Sequence, residues 1–142
     1  YFQEIGTHLS RENLSLKRKT IRSAGLLIRQ FHQAGFFHGD LQLKNILVAG
    51  DQLLLIDFDR SYRKTTLSVQ ERMKNLLRFN RSAEKWKRLG LPITRTDRWR
   101  LFLTYAGDDK KIREAMKKAL RIYSLRFLFY RFGWAIGRIL GS

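Results

Sequence analysis

Between Ser15 and Ala34 the apolar residues Leu16, Ile21, Ala24, Leu27, Ile28 and Phe31 recur at helical spacing, which predicts a helix with one buried face. Gly35 follows as its C-terminal stop. Two short apolar runs come next, Asn45 to Val48 and Leu53 to Ile56, joined by Ala49-Gly50-Asp51-Gln52. Their length and the Gly-Asp turn between them predict a β-hairpin. The stripe Val69, Met73, Leu76, Ala83 and Trp86 predicts a second helix over about 68–89, ended by Gly90 and Pro92. A third helix is expected after Thr96, as its cap, and runs to about Tyr105. Asp108-Asp109 then cap a long helix from Lys110 to about Leu140, acids leading and bases following as the macrodipole prefers. No internal repeat or flexible linker breaks this order, so the fold class is mainly α with a small β-hairpin.

Composition narrows what such a fold can do. Hydrophobic residues at 44% and aromatics at 13% supply a packed core and exclude wholesale disorder. The absence of cysteine from all 142 residues removes disulfides, thiolate zinc sites and cysteine nucleophiles together, and suits a reducing cytosol. No apolar stretch follows a basic start, so no secretory signal is read. The formal charge of +17 calls for an anionic partner. Its distribution is uneven: residues 1–59 carry seven basic and six acidic side chains, residues 60–100 thirteen and three, and residues 110–142 nine and one. The excess therefore lies almost wholly beyond residue 59.

The stretch with chemical content is His38-Gly39-Asp40-Leu41-Gln42-Leu43-Lys44-Asn45, followed twelve residues on by Ile56-Asp57-Phe58-Asp59. Phosphoryl transfer needs one carboxylate to orient an attacking hydroxyl and accept its proton, and an amide and a carboxylate to hold magnesium over nucleotide phosphates. Magnesium's preference for hard oxygen explains Asp and Asn rather than His or Cys. Either half alone is weak; jointly they are specific. Asp40 and Asn45 read in isolation are also common turn-capping residues, and Asp57 at this spacing is what favours the chemical reading.

These residues resemble the C-terminal lobe of the protein-kinase-like fold, and Gly39 in the second motif position is more similar to small-molecule and atypical kinases than to protein kinases. The sharper resemblance is to the lipopolysaccharide core kinases, and within them the Kdo kinases. It is carried by His38, Asp40-Leu41, Asn45-Ile46-Leu47 and Leu55-Ile56-Asp57-Phe58-Asp59-Arg60, with a softer match at Asn75-Leu76-Leu77-Arg78, Arg81-Ser82 and Lys85. It covers about residues 15–105, with 38–60 its specific core. The resemblance implies Asp40 as catalytic base, His38 as its support, Asn45 and Asp57 as magnesium and nucleotide ligands, and ATP and Mg2+ as cofactors. The implied acceptor is a sugar hydroxyl of a lipid A–Kdo glycolipid, or another small molecule, and the implied place is the cytoplasmic face of a bacterial inner membrane. Gln42 stands where many relatives carry Asn, His or Lys. Asp59 replaces the Gly of Asp-Phe-Gly kinases and no Ala-Pro-Glu follows, which argues against a protein substrate.

By this resemblance residues 1–109 are a kinase-like C-lobe and 110–142 a basic, aromatic-rich C-terminal helix. The N-lobe, with its glycine-rich turn and phosphate-binding Lys, is expected to be absent from this chain. The chain opens on Tyr1 without an initiator Met and is read as a piece of a longer protein, with Tyr-Phe-Gln as native sequence rather than a tag remnant. Alone it is expected to show negligible turnover.

Several residues stay open between two readings. Lys44 contacts a phosphate or is simply solvated. Asp59 and Arg60 form a local ion pair or bind an acidic sugar. His8 and His32 are surface or packing residues. The cations Arg72, Lys74, Arg78, Arg81, Lys85, Lys87 and Arg88 default to a solvated helix face, with an anion-facing surface as the second reading. Residues 125–140 are apolar nearly all round but broken by Arg126, Arg131 and Arg138, which disfavours a membrane span. Phe127, Phe129, Tyr130, Phe132 and Trp134 suit an interfacial helix on an anionic membrane, against the alternative of packing on the missing N-lobe or a partner. Nucleic acid is disfavoured as a partner, since no reading motif accompanies the charge. Two rivals remain: another small-molecule or atypical protein kinase on the same fold, and a non-catalytic membrane or partner-binding module.

Overall fold

The computed structural model describes residues 11–122. His8 and the aromatic stretch beyond residue 122 lie outside the described residues, as does the expected end of the last helix near Leu140. The chain divides into two compact units, Tyr1–Asp108 and Asp109–Ser142.

The first unit runs α1 (Arg11–Gln33), β1 (Phe36–Phe37), a 3₁₀ turn at Leu43–Asn45, β2 (Ile46–Ala49), β3 (Gln52–Leu55), β4 (Tyr62–Arg63), α2 (Val69–Arg88) and α3 (Arg95–Ala106). The helix-rich composition with a small hairpin is the one the hydrophobic pattern predicts. β2 and β3 pair antiparallel from Ile46↔Leu55 to Ala49↔Gln52, turning on Gly50-Asp51. A second two-stranded ladder pairs Phe36 with Arg63 and Phe37 with Tyr62. Two-residue strands leave no alternation to read, so the sequence does not announce them. The Phe37 and Tyr62 rings stack at 4.7 Å and fasten the chain after β3 beside the end of α1.

In α1 the expected stripe is half right. Ala24 and Ile28 are buried and joined by Gly25 and His32, whereas Leu16 lies 51% exposed. Gly25 is where α1 meets α3: a Cβ there would stand 2.6 Å from the Leu101 carbonyl oxygen, so only glycine lets the backbones approach this closely. Lys17 adds an ion pair at 2.6 Å to Asp97 on α3. α3 begins two residues earlier than expected from Thr96. Thr94 is the cap, its hydroxyl accepting from the Asp97 N–H while Asp97 accepts from the Thr94 N–H at 2.9 Å. A reciprocal pair needs an acid three residues after the cap, and only Thr94 has one.

Ser68 and Glu71 cap α2 in the same way. Glu71 also accepts from Lys64 Nζ at 2.6 Å and Tyr62 Oη at 2.9 Å, anchoring β4 to the start of α2. The Lys64 bond, then those from Ser68 and Tyr62, pull its carboxyl down to about 2. Met73, Leu76 and Ala83 of the α2 stripe are buried, together with Phe79. In the second unit Asp109 caps a helix that starts at residue 110, its carboxylate accepting from the Ile112 N–H at 3.1 Å. Among the described residues no helix is long and apolar enough to cross a membrane.

His32 is the histidine that the core holds, at 2% exposure. Its Nδ1 lies 2.7 Å from the Tyr105 hydroxyl and its Nε2 3.1 Å from Asn75 Oδ1. An amide oxygen only accepts, so Nε2 carries a proton, and in the neutral ring Nδ1 accepts from the tyrosine hydroxyl. Burial, the largest influence, lowers its pKa from 6.5 to about 4 despite the Asn75 bond. The unfolded chain takes up this proton first, so stability is full above about pH 6.5 and declines as pH falls toward 4. A shift of this size corresponds to about 3 kcal/mol. Glu71 acts in a lower window, between its ordinary value and about 2. Urea titrations from pH 7 to 4 are expected to show a falling midpoint, and His32→Gln, weaker at neutral pH, is expected to lose most of that slope.

Candidate active site

The candidate catalytic loop, residues 38–45, reaches its place between α1 and β2 by pairing with a side chain. Asn75, 1% exposed on α2, donates from Nδ2 to the His38 carbonyl at 2.9 Å and accepts from the His38 N–H at 3.1 Å. Its amide thus does for His38 what a neighbouring strand would do. The same Oδ1 accepts from His32. Three residues along α2, Arg78 donates from Nε to Asp40 Oδ1 at 2.7 Å and pairs with the same oxygen through Nη2. Four residues further, Ser82 Oγ accepts from the Leu43 N–H at 3.0 Å. Positions 75, 78 and 82 share one helix face, so a single face of α2 grips the loop at 38, 40 and 43. All three belong to the softer part of the family resemblance, and their polar i, i+3, i+7 spacing beside a buried apolar stripe is the signal that marks them.

Asp40 is the focus of this grip. Gln42 donates to its Oδ1 at 2.5 Å, and Lys44 Nζ lies 3.8 Å from Oδ2 on a side chain that is half exposed. The Gln42 bond, the largest influence, holds the carboxyl below its ordinary value against burial, with Arg78 and Lys44 adding to the same direction. Gln42 therefore positions the carboxylate. Arg78, assigned by default to a solvated face, belongs to the site instead, because the helix turns it across the loop.

His38 connects the loop to the second half of the motif. Its Nε2 donates to the Ile56 carbonyl at 3.0 Å and its Nδ1 accepts from the Asp40 N–H at 3.1 Å. The imidazole thus spans from the residue before Asp57 to the backbone of Asp40. Phe58 packs on His38 at 5.3 Å and stacks on Phe31 of α1 at 5.7 Å. Asp57 takes a left-handed backbone, φ 63°, which Asp tolerates better than most residues. Arg60 does the same at φ 58°. Among the described residues Asp59 and Arg60 form no ion pair; Arg60, in the turn from Phe58 to Ser61, lines a cavity beside the loop.

The hairpin register brings Asn45 and Asp57 together: the Ile56 N–H donates to the Asn45 carbonyl at 3.0 Å, so Asp57 is one residue past Asn45's cross-strand neighbour. Asn45 is buried and its Nδ2 donates to the Asp40 carbonyl at 2.8 Å. That bond leaves Oδ1 as its cation-facing atom by chemistry. An amide oxygen and a carboxylate are the hard donors magnesium takes alongside substrate phosphates, so the donor set fits.

Gly39 is fixed by the approach of the two halves. Its N–H donates to Ser61 Oγ at 2.9 Å, and a Cβ would overlap the carbonyls of Asp59 and Arg60. This explains glycine between His38 and Asp40. Gly39→Ala is expected to lose about 1–3 kcal/mol of stability through overpacking, read as a lowered urea midpoint; an unchanged midpoint contradicts this contact.

Comparison with known proteins follows the same stretch of chain. A 3-deoxy-D-manno-octulosonic acid kinase of Xanthomonas campestris pv. campestris (strain B100) is 45% identical over 62 residues, 43% of this chain and 24% of that protein. A probable bifunctional tRNA threonylcarbamoyladenosine biosynthesis protein of Methanosarcina barkeri is 50% identical over 38 residues, 27% of this chain and 7% of that protein. The solved structure of WaaP in complex with acyl carrier protein aligns with a TM-score of 0.55 at 23% identity, covering 73% of this chain and 48% of that one, and shows a shared kinase-like fold. The chain therefore spans about half or less of the length of these relatives. With residues 2–105 matched, the chain belongs to the lipopolysaccharide kinase (Kdo/WaaP) family.

Proposed function

We propose that this chain carries the phosphotransfer centre of a lipopolysaccharide kinase that moves the γ-phosphoryl group of ATP to a sugar hydroxyl of the lipid A–Kdo core. The observation that carries this reading is Asp40: an ionised carboxylate gripped by Gln42 and Arg78, one loop away from the Asn45–Asp57 donor pair. In the reaction the acceptor oxygen forms a bond to the γ-phosphorus, the bond to the β-bridging oxygen breaks, ADP leaves, and the hydroxyl proton passes to Asp40. Asp40 orients the hydroxyl through Oδ2, the oxygen that neither Gln42 nor Arg78 uses. Its depressed proton affinity suits a loose transition state, in which positioning counts for more than early proton removal. Asn45 and Asp57 are the residues to hold magnesium, which when bound neutralises charge on the phosphates. His38 keeps Asp40 and the Asp57 segment in mutual register and takes no proton itself. The half-exposed Lys44 side chain, 3.8 Å from Asp40, supports a contact with the transferred phosphate in this reading.

The match across residues 2–105 favours this over the archaeal tRNA-modification likeness, which spans 38 residues. In the full-length protein Asp40→Asn is expected to lower kcat for phosphate transfer to Kdo–lipid A by roughly 10²–10⁴-fold with nucleotide binding retained. Unchanged activity in cells favours the rival reading of a non-catalytic binding module, and transfer to casein in place of glycolipid favours an atypical protein kinase.

A cytoplasmic position, peripheral at the inner membrane, goes with this reading. The basic excess beyond residue 59 supports it. Liposome co-sedimentation is expected to need anionic lipid, to weaken with salt, and to fall when residues 125–142 are deleted.

A further inference from the structure

A cavity of about 300 Å³ opens beside the catalytic loop, on the side of Gly39. Arg60, Lys74, Arg78 and Arg81 line it, with the stacked rings of Phe37 and Tyr62 as an apolar wall, and no acidic residue is among its lining. Arg60, Lys74 and Arg81 form no ion pair among the described residues. Four cations around one concave space repel one another and concentrate positive potential there, a state that an entering anion relieves. Arg60 reaches the cavity from a left-handed backbone conformation that costs about 1–2 kcal/mol in a non-glycine residue, and such strain collects where function requires a side chain.

Two features separate this cavity from the nucleotide side of the site. Neither Asn45 nor Asp57 lines it. It abuts Asp40 instead, through Gly39, the residue before it, and through Arg78, which both lines the cavity and holds the carboxylate. Its volume is at the small end of ligand cavities, which run to roughly 300–1,000 Å³.

We propose that this cavity binds an anionic group of the phosphoryl acceptor, a sugar carboxylate or a phosphate ester, with Arg78 bridging that group to Asp40. The assignment rests on the reading of Asp40 as the base that receives the acceptor hydroxyl. It makes Arg60, Lys74 and Arg81 specificity residues: the anion seats among them, and the hydroxyl of the same molecule is delivered to Asp40. Arginine forks suit carboxylate and phosphate alike. The acceptor's two sources of anion are therefore told apart by experiment.

The test uses the full-length protein and the variants Lys74→Gln, Arg81→Gln and the double variant. Both side chains are exposed, so the fold is expected to survive, with thermal midpoints close to the parent's. The double variant is expected to raise KM for Kdo–lipid A at least about tenfold, the loss of one or two charge-assisted bonds, while KM for ATP changes less than about twofold. Esterifying the sugar carboxylate of the acceptor, or removing its phosphates, should abolish the difference between parent and variant for whichever group the cavity holds. A rise in KM for ATP alone, or no change in either KM, overturns the proposal. Should the parent phosphorylate no glycolipid, the functional reading fails by itself. The cavity is then judged by titrating free 3-deoxy-D-manno-octulosonic acid and inorganic phosphate against parent and double variant. Saturable binding weakened about tenfold in the variant supports an anion site, and equal binding overturns it.

Discussion

The amide of Asn75 sits where three helices and the catalytic loop converge. Its oxygen accepts from the His38 backbone and the His32 ring, and its nitrogen donates to the His38 carbonyl. Each of these groups is buried, and a buried polar group left unpaired costs about 1–3 kcal/mol. The chain of bonds runs Tyr105, His32, Asn75, His38, Ile56, and so passes from α3 through α1 and α2 to the strand end that precedes Asp57. One connected network thus ties the helical core to both halves of the motif. Because the Asn75 side-chain oxygen and the Ile56 carbonyl only accept, the network also puts the proton of each neutral histidine on Nε2.

Electrostatics follows from this framework. The helical core holds its histidine neutral, while the one carboxylate that the loop presents is surrounded by cations on side chains that keep solvent contact. Asp40 therefore stays ionised without full burial, and its geometry comes from Gln42 and from a partly exposed ion pair with Arg78. The uneven charge along the chain acquires a spatial meaning here. The nearly neutral first 59 residues supply the acids of the site, and α2 brings part of the basic excess of residues 60–100 across to meet them.

How much of this could be read in advance depends on the range of the interaction involved. Hairpin, helices and Asp109 cap were legible because each rests on local spacing or on a turn of a few residues. The start of α3 was misplaced by choosing Thr96 over Thr94, although the acid at Asp97 marks the reciprocal cap. Leu16 fitted a helical stripe and yet faces outward, since periodicity locates a face but does not say how far the neighbouring element extends. His38, Asp40, Asn45 and Asp57 could be named as a set, because the chemistry they share leaves its mark as residue type and separation.

The chain by itself determined its helical class, its hairpin, the family to which it belongs and the residue types that phosphoryl transfer needs, all of which are encoded in nearest neighbours and short spacings. Tertiary structure alone decided that Asn75 takes the place of a strand, that Gly39 must be bare because the Asp59–Arg60 backbone lies against it, and that Arg78 reaches across to Asp40. It also gathered Arg60, Lys74 and Arg81 from two elements into one cavity. These contacts join residues that are tens of positions apart, and a long-range hydrogen bond leaves no periodic trace: its partners are fixed only when packing brings the helix face and the loop together.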